Sequence, residues 1–160
     1  MKKAELSPLF HGLKDVSQFP GVKFAYAVAK NMAAVRAECE CLEKSAEANE
    51  AFQAYDAARV ALGRKMCDKK EDGSPLTTTS NGQEVFTFDG GLTSPAWQEA
   101  ITALNTEHAE VIAARTAQLD DFNKLLEEDT DIVLFKVSAD QLPEGINAAQ
   151  ISTIISIIED

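Results

Sequence analysis

The sequence predicts a mainly α protein with a small β component. Its frame is a long antiparallel helical hairpin, coiled-coil-like along its seam, with a β-hairpin inserted at the tip and a short strand and a C-terminal helix beyond it. Three observations predict this. Val22 to Leu62 contains no Gly or Pro, carries thirteen Ala, and places Val28, Met32, Val35, Cys39, Leu42 and Ala46 in steps of four and three. Such steps keep one seam of a helix against a partner. At 1.5 Å per residue this helix would run about 60 Å, too long for one narrow seam to form a globule unaided. A second periodic stretch, Ala96 to about Glu128, supplies the partner, and between the two the period changes from helical to alternating.

The chain reads as one domain, 1–160, and its elements follow in order. Residues 1–21 hold a short helix, with Ser7 as N-cap, Pro8 at the first helical position, and Leu9, Phe10, Leu13 and Val16 on one face. Phe19-Pro20-Gly21 stops it, and Gly12 and Gly21 both read as helix stops. The long helix occupies 22–62, with Gly63 placed to end it. In 67–93, Asp72-Gly73 and Ser74-Pro75 are turn signals, Asn81-Gly82 is a hairpin turn, and Glu84 to Phe88 alternates with Phe86 and Phe88 on one face. Ser94-Pro95 restarts helix over 94–128, where Trp97, Ile101, Leu104, His108, Val111, Arg115, Leu119, Phe122 and Leu126 recur at three and four. Asp131 to Val137, β-branched and apolar after three acids, reads as a strand. Leu142-Pro143-Glu144-Gly145 is a turn. Asn147 and Gln150 form a capping box for a last helix over 147–159, with Ile151, Ile154, Ile155 and Ile158 as its stripe.

A 45% hydrophobic composition suffices for a core. The apolar runs are far shorter than the ~20 residues a bilayer needs, and no signal-peptide pattern opens the chain. A cytoplasmic protein without a membrane partner is expected. The net charge of -11 argues against nucleic acid, since phosphate contacts need a basic face. Charge is nevertheless polarised. Five basic residues against Asp68 leave +4 over 59–70, and six acids against Lys124 leave -5 over 120–131. Cys39, Cys41 and Cys67 are odd in number and badly spaced for a disulfide framework or a zinc site, so reduced thiols, no metal and no cofactor are expected.

Folding the two long helices back on each other sets Asn49 opposite His108. A polar pair in an apolar seam fixes register, and the alternative is a small polar pocket that adds Arg115. Arg64, Lys65, Lys69 and Lys70 are the candidate contacts for an anionic ligand, against the plainer reading of a solvated basic tip. Glu107 and Glu110 read as a solvated acidic edge flanking the seam that His108 faces, and not as a metal or acid-base cluster. No phosphate loop, HExxH pair or nucleophile motif is present, so no catalytic residue is expected.

Two stretches, Phe19-Pro20-Gly21-Val22-Lys23-Phe24-Ala25-Tyr26-Ala27-Val28-Ala29-Lys30-Asn31 and Lys70-Glu71-Asp72-Gly73-Ser74-Pro75, are followed by a second long helix, an acidic-to-apolar strand, Leu142-Pro143 and an Ile-rich terminus. In this layout the chain resembles small accessory and assembly proteins of tailed bacteriophages and prophages. The resemblance implies a phage-encoded interaction protein of the infected host's cytoplasm or of the virion, and it transfers no catalytic residue. Partner contacts are expected at Phe86, Phe88, Trp97, Ile132, Leu134, Phe135, Ile154 and Ile158. An unpaired strand at 131–137 is an aggregation hazard, so a homo-oligomer, most simply a twofold dimer, is expected to pair it, with another phage or host protein as the further partner. The competing reading is a binder that sequesters an anionic host nucleotide signal.

Overall fold

The computed structural model describes residues 1–80, 83–89 and 94–159. It is mainly helical with a small strand component. Contacts divide the chain into two compact units, Met1–Glu47 with Leu119–Asp160, and Ala48–Gln118.

In the first unit, a 3-10 turn over Lys3–Glu5 leads directly into α1 (Leu6–Val16), so Ser7 and Pro8 sit inside the first turn and Ser7 is not the cap. Pro is tolerated there because its missing N–H has no helical partner to lose. The expected apolar face is buried at Leu9, Leu13 and Val16, joined by Leu6. Gly12 is no stop. It lies mid-helix against α6 (Ala148–Thr153), where a Cβ would stand 2.6 Å from Thr153 Oγ1. Gly21, at φ +122°, turns the chain into α2 (Val22–Ala46). That helix buries the predicted seam at Val28, Val35, Cys39 and Leu42, together with Phe24, Ala27 and Asn31. Phe122, Leu125 and Leu126, from the C-terminal part of α5 (Ala109–Leu126), pack against the same core.

The stretch read as a strand over Asp131 to Val137 is mostly an extended run outside any ladder. Only β3 (Val137–Ser138) pairs, parallel to β4 (Ile158–Glu159). The segment before it is also tied down within the chain. Lys2 bridges Asp129 in antiparallel fashion, the Lys3 N–H donates to Glu128 O, and the Thr130 N–H donates to Met1 O. The Asn147–Gln150 capping box forms as expected. The helix it starts, however, ends at Thr153 and gives way to a 3-10 turn over Ile155–Ile157 and then to β4. A run this rich in β-branched residues holds a helix poorly. The change of period turns Ile157 into the core beside Ile154 and leaves Ile155 exposed.

Both expected long helices are interrupted. Val22 to Leu62 is not continuous: Glu47 and Asn49 are extended, and Asn49 caps α3 (Glu50–Met66) by accepting the Phe52 N–H at 2.8 Å. An Asn side chain competes with the helix for its own backbone, so the break needs neither Gly nor Pro. The expected helix 94–128 is interrupted at His108 (φ -105°, ψ 20°), between α4 (Pro95–Glu107) and α5. Gly63 does not end α3. It is buried within it, where a Cβ would lie 2.7 Å from the Phe86 ring. Strands β1 (Thr77–Ser80) and β2 (Gln83–Phe86) pair antiparallel with Ser80 opposite Gln83. The turn expected at Asn81-Gly82 lies outside the described residues. The pairing is continued by Asp68, Leu76 and Thr87 through three backbone bonds. Phe88 stacks on Trp97 with ring centroids 4.4 Å apart.

Candidate protein interface

The first turns of α2 set Val22, Tyr26 and Lys30 four residues apart on one stripe, opposite the buried Phe24, Val28 and Asn31. Beside this stripe runs the extended segment 131–136. Its side chains alternate as an extended chain dictates. Ile132 and Leu134 turn in and pack against the core, while Val133 and Phe135 turn out. Asn31 fixes this arrangement. Its side chain is 1% exposed, donates Nδ2 to Phe135 O and accepts the Phe135 N–H at Oδ1, both at 2.8 Å. One buried amide therefore does for Phe135 what a neighbouring strand would do.

The result is an exposed apolar face. Val22 is 90% exposed, Val133 89%, Tyr26 53% and Phe135 48%. The Tyr26 and Phe135 rings meet edge to face at 5.5 Å, a favoured aromatic geometry. A groove of about 430 Å³ lies along them, lined also by Lys23, Lys136, Ser138, Gln141 and Glu159. A second, of about 300 Å³, lies beside Lys30, Ala34 and Val133. Lys30 Nζ stands 6.0 Å from the Tyr26 ring centroid, and Lys136 Nζ donates to Ser156 O at 2.6 Å. Three lysines against Glu159 make this face locally positive in a chain whose net charge is -11.

The residues expected to carry function are placed differently. Of the eight expected partner contacts only Phe135 is exposed. Phe88 and Ile154 are buried, and Phe86, Trp97, Ile132, Leu134 and Ile158 are half-buried. Phe86 covers Gly63, and Phe88 covers Trp97, so the hairpin's aromatic face is packed within its own unit. Asn49 and His108 form no buried pair. Asn49 is an exposed cap, and His108 lies against Tyr55, ring centroids 5.4 Å apart, while the Tyr55 hydroxyl donates to Asn105. Arg115, proposed with them, stacks instead over Phe52 at 5.6 Å. Of Arg64, Lys65, Lys69 and Lys70, Lys65 alone lines a described groove, one of about 490 Å³ between α3 and α4 that also holds Glu107. The Lys69 ammonium bonds the Arg64 carbonyl, capping the end of α3, and the Lys70 N–H closes a turn on Ser74.

Sequence reasoning missed Val22, Tyr26 and Asn31. The signal was present: an Asn at a seam position between Val28 and Val35, and large apolar residues four apart on the face the seam leaves to solvent. Perturbed titrations lie elsewhere. Burial raises the Cys39 thiol, with Glu43 and Glu38 adding to the effect, and hydrogen bonds from Ser74 lower the Asp72 carboxyl. Among the described residues no three His, Cys, Asp or Glu side chains converge as metal ligands, and no helix is long and apolar enough to cross a membrane. No protein family, curated protein or solved structure compared with the chain matches it.

Proposed function

We propose that this chain is a non-enzymatic interaction protein, a phage-encoded assembly or accessory factor that works through self-association and partner binding. The observation that supports this reading is the Val22–Tyr26–Phe135–Val133 face. Four large apolar residues lie together in solvent on a scaffold that has a buried core available, and contiguous apolar surface of this kind marks interaction sites. The lysines around it give the polar rim that such faces carry. The β-hairpin between α3 and α4 serves as an internal brace for its unit, since Phe86 and Phe88 face inward.

Native mass spectrometry of the protein isolated from the cells that make it tests this. The wild type is expected to carry a second polypeptide, a copy or a partner. The Val22→Ser/Tyr26→Ala/Val133→Ser variant is expected to fly alone at 17.3 kDa. A wild type that is bare under all conditions overturns the reading. A second reading, a binder of a small aromatic anion, draws on one observation: Tyr26, Phe135, Lys23 and Lys136 share one groove. It requires a retained small molecule that Lys23→Ala/Lys136→Ala releases.

A further inference from the structure

Phe135 turns both of its backbone groups towards Asn31. In an extended chain the backbone groups of alternate residues point to opposite edges, so those of Ile132 and Leu134 face the edge away from Asn31. That edge is open. The N–H and C=O of Leu134 and the C=O of Ile132 have no hydrogen-bond partner among the described residues, and the Ile132 N–H is held only by Thr130 Oγ1 at 3.3 Å. An exposed strand edge flanked by apolar side chains is a template for another extended chain.

The charge along the segment identifies the occupant. It begins acidic at Asp131, whose charge acts on Lys3, and ends at Phe135, whose grooves hold Lys23, Lys30 and Lys136 against the one carboxylate of Glu159. We propose that 131–135 pairs antiparallel with the same segment of a second copy, with Val133 on the twofold axis; this rests on the interaction reading above and names its partner. In this register Ile132 of each copy exchanges backbone hydrogen bonds with Leu134 of the other. Val133 meets Val133 in a close non-hydrogen-bonded pair. Asp131 of each copy falls opposite Phe135 of the other, whose groove holds Lys23 and Lys136 against Glu159, twice by symmetry. Parallel pairing would set acid beside acid, and a slip of one residue would oppose an outward to an inward side chain. An isologous contact requires a patch that is its own complement, and a segment acidic at one end, basic at the other and apolar at the centre is one.

Sedimentation equilibrium and hydrogen exchange on the full chain test this together. The wild type is expected to dimerise, and dimerisation is expected to protect the Leu134 amide while leaving the Val133 amide unchanged. Val133→Asp and Asp131→Lys should each weaken the dimer about tenfold or more by opposing like charges. Asp131→Lys/Lys23→Glu should recover it. A dimer that survives both single variants, or one in which Val133 and not Leu134 is protected, overturns the proposal. So does a wild type that binds a different polypeptide without dimerising, a result that leaves the interaction reading standing. A chain that binds neither removes both.

Discussion

Asn31 is the one buried polar side chain among the described residues, and it is satisfied by a segment 104 positions away in the chain. Its two hydrogen bonds decide where Phe135 stands, and with it the exposed aromatic pair. Asn31→Ala leaves the Phe135 N–H and C=O facing a void, which should lower unfolding free energy in urea by about 2–3 kcal/mol. Asn31→Asp keeps the acceptor for Phe135 N–H but sets a second oxygen against Phe135 O and buries a charge, so it should cost at least as much. Both variants should speed exchange of the Phe135 amide. An unchanged urea midpoint would show that the segment is held by the inward packing of Ile132 and Leu134 alone.

At the scale of elements, the interruption between α2 and α3 and the course of α3 past Gly63 depend on single side chains. Asn49→Ala removes the bond to the Phe52 N–H and should cost about 1 kcal/mol, the worth of an N-cap. Stabilisation on replacing both Asn49 and His108 by Leu, the outcome a buried register pair would give, would require a different role for Asn49. Gly63→Ala should destabilise by about 1–3 kcal/mol, because the added methyl meets the Phe86 ring, although Ala in a helix interior ordinarily gains about 1 kcal/mol over Gly. Combining it with Phe86→Ala should cost less than the sum of the two, and strict additivity in a denaturation cycle would sever the link between α3 and the hairpin. These positions also show what the sequence discloses. The seam of α2, the apolar face of α1 and the Asn147–Gln150 box are local, periodic signals, and they are found where the periodicity sets them. The interruptions at Asn49 and His108 carry no Gly or Pro, and the apolar spacing runs through them, so a pattern of threes and fours cannot register them. Asp131 to Val137 has strand composition, but its partner is one amide from another element, which composition does not encode.

For the whole molecule, the first unit is assembled from both ends of the chain, and the two units differ in core. All thirteen members of the buried apolar cluster, from Leu6 to Ile157, belong to the first. The buried positions described in the second are Tyr55, Gly63, Cys67 and Phe88. Burial of apolar area is the main favourable term in folding, so the second unit should open at lower free energy than the first. Native-state hydrogen exchange should show amides of α3 and α4 exchanging through a smaller opening than those of α1 and α2. The exposed apolar face combines residues 22–30 with 131–136, and both stretches lie in the first unit. A single proteolytic cut within 67–93 should therefore leave two fragments that stay associated through α1, α2 and α6, with Tyr26 and Phe135 still in contact. Size-exclusion chromatography of the nicked protein, run native and then in denaturant, checks this. Fragments that separate without denaturant would mean that the two ends of the chain do not hold the first unit together once the connection through the second is cut.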